Sequence, residues 1–226
     1  MESEMKTLFL SLLFALNIFA CELVAPKIVE YDACHKEAII AMALQDPHSI
    51  FSGGHAVAQG LMSEEAFLSE GQKALTGILE DPVQVKKVLT VGDKIAGFSQ
   101  VSKSKEQSLE TLIRTILKSG VKCNVRQVAD TYSHMKKTDK ECSEFGHIGA
   151  LLVSREFRKR GFGRMLLQDA FQEIVRRWPL FLPARLNVNA DNLVAIKLYE
   201  SEGYKKSEIQ PPLSVLMKEI EYQKSL

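Results

Sequence analysis

Between His147 and Trp178 the chain runs through an apolar block, a basic turn with two glycines and a long amphipathic segment, and this order restricts the fold more than any other feature. His147, Ile148, Gly149, Ala150, Leu151, Leu152 and Val153 have strand length and near-continuous apolar character, which suits a strand buried on both faces. Ser154 to Arg164 breaks the run, and Gly161 and Gly163 let the backbone turn tightly and expose consecutive N–H groups. Leu167, Ala170, Phe171, Ile174, Val175 and Trp178 then recur at steps of three and four with polar residues between them, as in an amphipathic helix stopped by Pro179.

A strand, a glycine turn and a helix N-terminus together form an anion site, because unpaired amides and the positive end of the helix dipole converge there. Arg158, Lys159, Arg160 and Arg164 add charge around it, so the expected ligand carries phosphate. The formal net charge is only +1, from 29 basic and 28 acidic residues, so no overall field draws the protein to nucleic acid and the basic cluster is a local feature. The P-loop string Gly-x-x-x-x-Gly-Lys-Ser/Thr is absent, and the dinucleotide fingerprint fails because Leu166 stands where its third glycine belongs.

Arg158-Lys159-Arg160-Gly161-Phe162-Gly163, with Leu151 and Val153 just upstream and the helix just after, resembles the acyl-CoA motif of the GNAT superfamily of N-acetyltransferases. Asn187-x-Asn189-x-x-Asn192-x-x-Ala195-x-x-Leu198-Tyr199-x-x-x-Gly203-Tyr204 is similar to the second motif of the same superfamily, in the right order and at compatible spacing. The resemblance implies that the backbone of Leu151, Leu152 and Val153 pairs with the pantetheine arm of acetyl-CoA. It also implies that the amides from Lys159 through Arg160, Gly161, Phe162 and Gly163 to Arg164 hold the pyrophosphate, helped by the side chains of Arg158 and Arg160. Asn192 would touch the CoA arm or act only as a helix cap, and Tyr199 would face the sulfur.

The rest of the chain agrees with an α+β fold, a mixed, mostly antiparallel central sheet flanked by helices. Lys27 to Tyr31 reads as a first strand, followed by helical text from Ala33 to Leu44 and a second helix after Ser63 as N-cap, with Phe67, Leu68, Gly71, Leu75, Ile78 and Leu79 on one face. Val85 to Leu89 and Ile95 to Val101 flank Gly92-Asp93-Lys94 as a hairpin. Family members pass quickly from third to fourth strand, whereas this chain spends residues 102–146 there. Leu109, Leu112, Ile113, Ile116 and Leu117 predict an inserted helix ending at Gly120, and Val121, Cys123 and Val125 an inserted strand, which either shapes the acceptor side or decorates the surface. Arg185 to Val188 is a fifth strand and Leu193 to Glu202 a helix; Tyr204 to Ile209 and Leu213 to Ile220 complete the sheet. Its 226 residues, 46% of them hydrophobic, suit one domain over residues 26–223.

Residues 1–22 have the form of a secretory signal: Lys6, an apolar core too short to span a bilayer comfortably, then Ala20 and Cys21. The alternative is an extra helix packed on the domain. Export or membrane anchoring, by a retained or lipidated N-terminus, stands against the cytosolic supply of acetyl-CoA, and both locations stay open. Cys34, Cys123 and Cys142 form no paired framework and the five histidines lack ligand spacing, so no metal is expected. The oligomeric state is open, a homodimer included.

The resemblance implies direct transfer of an acetyl group to an amine on a small molecule, a peptide N-terminus or a lysine. A phenol, with a reference pKa of about 10, stays protonated at pH 7 and can protonate a departing thiolate, which favours Tyr199 as general acid. Glu144 and His147 stand where the family often keeps a base, and either could take that role. A catalytically idle CoA-binding module and an envelope-anchored interaction protein on the same fold are the alternatives.

Overall fold

The structure is a computed structural model and describes residues 24–51, 57–58, 60, 62–105, 114, 144–179, 183–207 and 219–225. Pro26 leads into β1 (Lys27–Glu30), and Asp32 then caps a 3₁₀ turn (Ala33–His35) by accepting from the Cys34 N–H at 2.9 Å. The turn opens α1 (Lys36–Leu44), and a short α2 (Pro47–Ile50) starts at the proline that ends it. Ser63 Oγ accepts from the Ala66 N–H at 3.1 Å, capping α3 (Glu64–Glu80) as its sequence predicts.

β2 (Val85–Val91) and β3 (Lys94–Lys105) form the expected hairpin about Gly92, whose φ of 60° is a left-handed turn conformation. β4 (Glu144–Val153) begins three residues before the apolar block, so Glu144 lies within the strand. Then come a 3₁₀ turn (Arg155–Phe157), α4 (Phe162–Arg177), β5 (Ala184–Asn189), α5 (Leu193–Ser201), β6 (Lys205–Lys206) and β7 (Glu219–Lys224). β7 runs past the expected end at Ile220 because it pairs with β5 along its whole length, Ala184 to Asn189 against Lys224 to Glu219.

Among the described residues these strands form one sheet in the order β1-β2-β3-β4-β5-β7-β6, antiparallel at every junction except β4–β5. It is the mixed, mostly antiparallel sheet flanked by helices that the sequence predicts. The period-two alternation of strands sends Val88, Phe98 and Leu152 to one face, against Ile39 and Met42 of α1 and Phe67, Leu75 and Leu79 of α3. The other face carries Val101, Ile148 and Leu186 against Leu167, Ala170 and Ile174 of α4 and Tyr199 of α5. Gly146 lies on this second face, where a Cβ would clash with Ile174.

The signal-like N-terminus and the inserted helix and strand lie outside the described residues apart from Arg114, as do residues 208–218 between β6 and β7. Among the described residues no helix is long and apolar enough to cross a membrane.

Candidate active site

β4 and β5 run side by side for only three residue pairs, Gly146–Ala184, His147–Arg185 and Ile148–Leu186, although β4 continues to Val153 and β5 to Asn189. Beyond Ile148 the strands part and the sheet opens a gap. The Ser154 N–H donates to the Ala96 carbonyl of β3 at 3.0 Å, so by alternation Leu152 also turns its backbone groups to β3, while Leu151 and Val153 turn theirs to the gap. The Val153 carbonyl accepts instead from Arg158 Nε at 3.1 Å. This is why the apolar block is only partly buried: its second half borders an opening.

The register of β3 and β4 slips at the same place. Gln100 faces Ala150 and Val101 faces Ile148, which leaves Gly149 as the extra residue of a bulge. A Cβ on Gly149 would clash with Gln100 Oε1 and stand 3.4 Å from His147 Nδ1. Gln100, only 2% exposed, was not picked out by the sequence, because one glutamine in a strand carries no pattern.

A cleft of about 390 Å³ occupies the gap. One wall is residues 148–152 of β4 with Leu186 and Asn187 of β5 and Tyr199; the other includes Phe51 and Met62 with Phe67 and Leu75 of α3. Tyr199 is 7% exposed, its ring tilted against those of Tyr204 and Tyr222 at 6.2 and 6.3 Å. Burial pushes its pKa up to about 12, and among the described residues its hydroxyl makes no hydrogen bond.

His147 lies on the α1/α3 face of β4, edge-on to Phe145 at 6.1 Å, and burial lowers its pKa to about 4, so its imidazole is neutral at pH 7. Alternation puts Glu144 on the opposite face, where hydrogen bonds from Lys103 at 2.6 Å and Lys105 at 3.1 Å hold its carboxyl below the usual range. Neither residue is among those lining the cleft.

The gap leads toward the start of α4. Phe157 and Phe162 are 5% and 8% exposed with rings 6.2 Å apart, and they pin the connecting loop so that Arg158, Lys159 and Arg160 between them stand in solvent. Lys159 (φ 63°) and Gly161 (φ 83°) make the left-handed turns that bring the chain into the helix, and only glycine does so without strain. The bond from the Met165 N–H to the Gly161 carbonyl at 3.1 Å closes the first helical turn, so the N–H groups of Gly161, Phe162, Gly163 and Arg164 precede it and form the open N-terminus. Gly163 sits where a Cβ would come within 3.3 Å of Leu198 on α5.

The basic side chains divide. Arg164 is tied to Glu202 at 2.6 Å and Arg158 to Asp46 at 2.8 Å, whereas Arg160 lies over the Phe157 ring at 5.4 Å. Among the described residues Lys159 and Arg160 have no acidic partner, which leaves positive charge beside the open amides. Asn192 caps α5, its Oδ1 accepting from the Ala195 N–H at 3.2 Å. The structure thus joins Leu151, Leu152, Val153 and Tyr199 around one gap, with Arg158 to Arg164 at its end. This strand edge, which β5 leaves open beyond Ile148, leads to a basic helix N-terminus and fits an elongated ligand with a peptide-like arm and a phosphate.

Comparison with known proteins bears on the fold and the family. A protein from Salmonella typhimurium (strain LT2) named [ribosomal protein bS18]-alanine N-acetyltransferase is 40% identical over 60 residues, which cover 26% of this chain and 39% of that protein. The chain therefore spans about two-fifths of the curated relative it matches. Similar folds occur in an agmatine N-acetyltransferase variant in its apo form (TM-score 0.61, 12% identity, 89% of this chain and 99% of that one). They occur also in the PaiA N-acetyltransferase of Thermoplasma acidophilum with coenzyme A (TM-score 0.54, 13% identity) and in Arabidopsis thaliana NAA60 with acetyl-CoA (TM-score 0.54, 11% identity). Each of these two covers 89% of this chain and 99% of its own. The family model described as "Acetyltransferase (GNAT) family" matches residues 89–204, just over half of the chain and all of β4, the glycine turn, α4 and α5, so the chain belongs to the GNAT acetyltransferase family.

Proposed function

We propose that the protein transfers an acetyl group from acetyl-CoA to an amine. The observation that carries this reading is the gap between β4 and β5, where the edge of β4 at Leu151 and Val153, which β5 does not pair, runs to the open amides of Gly161 to Arg164. The edge can pair with the amides of a pantetheine arm, and the helix N-terminus with Lys159 and Arg160 can hold the pyrophosphate. Two solved neighbours hold coenzyme A or acetyl-CoA, which supports the same donor.

Bound acetyl-CoA would supply an activated thioester; the chain supplies positioning and protons. An alkyl ammonium, with a reference pKa of about 10.4, must lose a proton before its nitrogen attacks the carbonyl. As the C–S bond breaks, Tyr199 gives its proton to the thiolate, and the proton lost by the amine restores the balance through solvent. Burial holds Tyr199 protonated, and the same desolvation makes the thiolate beside it more basic. Neither candidate base is placed to take the amine's proton directly: His147, on the α1/α3 face of β4, is neutral at pH 7 but a weak base with a pKa of about 4, two lysines sequester the Glu144 carboxylate on the other face, and neither lines the cleft. Fixed geometry in the cleft supplies much of the remaining acceleration.

A calorimetric titration of acetyl-CoA into the protein and its Gly163→Trp variant tests the reading. Saturable binding that the variant loses is expected, since an indole at Gly163 would fill the approach beside Leu198. A folded wild-type protein that does not bind acetyl-CoA overturns the proposal.

A further inference from the structure

The cleft wall opposite β4 is apolar, and it is built around aromatic rings. Phe51 and Phe67 form its floor at 8% and 1% exposure, with rings edge-on at 6.2 Å, and His48 stacks on Phe67 at 4.9 Å. Ile50, Met62 and Ile78 stay half-buried along the rim. Gly71 stands inside α3, where a glycine costs about 1 kcal/mol relative to alanine. A Cβ there would clash with the Phe51 ring, so the missing side chain is what seats that ring in the wall.

Among the described residues charge is nearly absent from this wall. Among the described residues that line the cleft, Glu70 alone is charged; it is half exposed and already bound to Lys73 at 2.9 Å. The polar groups, Asn187 and Tyr199, lie at the β5 side. The cleft is thus polar at one end and apolar at the other, and a volume of about 390 Å³ is within the range of small-ligand sites.

We infer that the acceptor is a monoamine carried on a large apolar body, aromatic or aliphatic, which lies against Phe51, Phe67, Met62 and Ile78 while the amine points to Tyr199. The inference rests on the acetyl-transfer reading above. A second ammonium on the far end of the acceptor would be desolvated against this wall, where the one carboxylate among the described lining residues, Glu70, is already paired, and that is unfavourable. A polyamine or a lysine in a basic peptide is therefore a poor match.

The test compares hexylamine with 1,5-diaminopentane, which have similar reach but differ in a terminal ammonium, by thiol release from acetyl-CoA with the full chain. Hexylamine should show a kcat/KM at least about tenfold higher. In Ala74→Glu, which adds a carboxylate at an exposed position of the α3 wall, that ratio should fall by about tenfold while acetyl-CoA binds within about twofold of wild type. Equal or better turnover of the diamine by the wild-type protein, or acetyl-CoA binding with no turnover of either amine, overturns the inference and leaves the donor site standing. A preference of about tenfold for hexanoyl-CoA over acetyl-CoA with one acceptor would assign the wall to the acyl chain and also overturn it. Absence of acetyl-CoA binding removes the parent reading and this inference together.

Discussion

Tyr199 shows how much one side chain can depend on its surroundings. Its place in a helix read from Leu193 to Glu202, and its family role, are legible in the spacing to Asn192 and Gly203. Its raised pKa comes from burial, as it packs between Tyr204, Tyr222 and the split strands. Tyr199→Phe should lower kcat by about 10²- to 10⁴-fold, the usual worth of a positioned proton donor, and leave acetyl-CoA affinity within about twofold. Because the hydroxyl makes no hydrogen bond among the described residues, the melting temperature should barely change. Thiol-release kinetics, calorimetry and a thermal melt check the three parts, and an unchanged kcat would move the proton donor elsewhere. Glu144 and His147 are three residues apart and looked interchangeable as bases. They land on opposite faces with opposite surroundings, because a strand alternates its side chains.

At the scale of elements, β4 and the turn after it carry the site through backbone geometry. Gly149 gives the bulge room for Gln100, so Gly149→Ala must displace that buried carboxamide or close the bulge. We expect a loss of about 1–3 kcal/mol, as for other overpacked sites, together with a higher KM for acetyl-CoA. Urea unfolding and initial-rate kinetics measure the two effects, and a variant as stable and as active as wild type would show that the bulge tolerates a side chain. Gly161 differs: nothing lies within 4 Å of the position of its Cβ, but its φ is 83°. Gly161→Ala should therefore cost about 1–2 kcal/mol through backbone strain alone, read from the same unfolding curves.

Across the whole molecule, α4 is held to the first two strands by a charge network. Lys87 of β2, 14% exposed, meets Glu30 of β1 at 2.6 Å and Glu173 of α4 at 3.3 Å, and Glu173 accepts from Arg176 at 2.7 Å and Arg177 at 3.0 Å. Burial works against ionisation of Glu173, but the hydrogen bonds from Arg176, Arg177 and Lys87 outweigh it and hold its pKa at about 2. A carboxyl depressed from an ordinary value near 4.5 contributes its full stability above that pH and loses it as pH falls through about 2. Glu173→Gln should accordingly cost about 2 kcal/mol at pH 7, with the gap to wild type narrowing between pH 4.5 and 2, as urea melts across that range would show.

The sequence alone determined the strand, glycine turn and helix of residues 147–178, the capped helices and the β2–β3 hairpin, because periodicity, caps and turn residues act over a few neighbours. It also determined the family, because two motifs in order are local strings. Tertiary structure alone decided that β4 and β5 part after three pairs, that Gly149 bulges against Gln100, that Phe51 rests on Gly71, and that β7 continues to Lys224. Each of these depends on segments distant in the chain meeting at one place, and register, strand divergence and burial leave no trace in the spacing of any single segment.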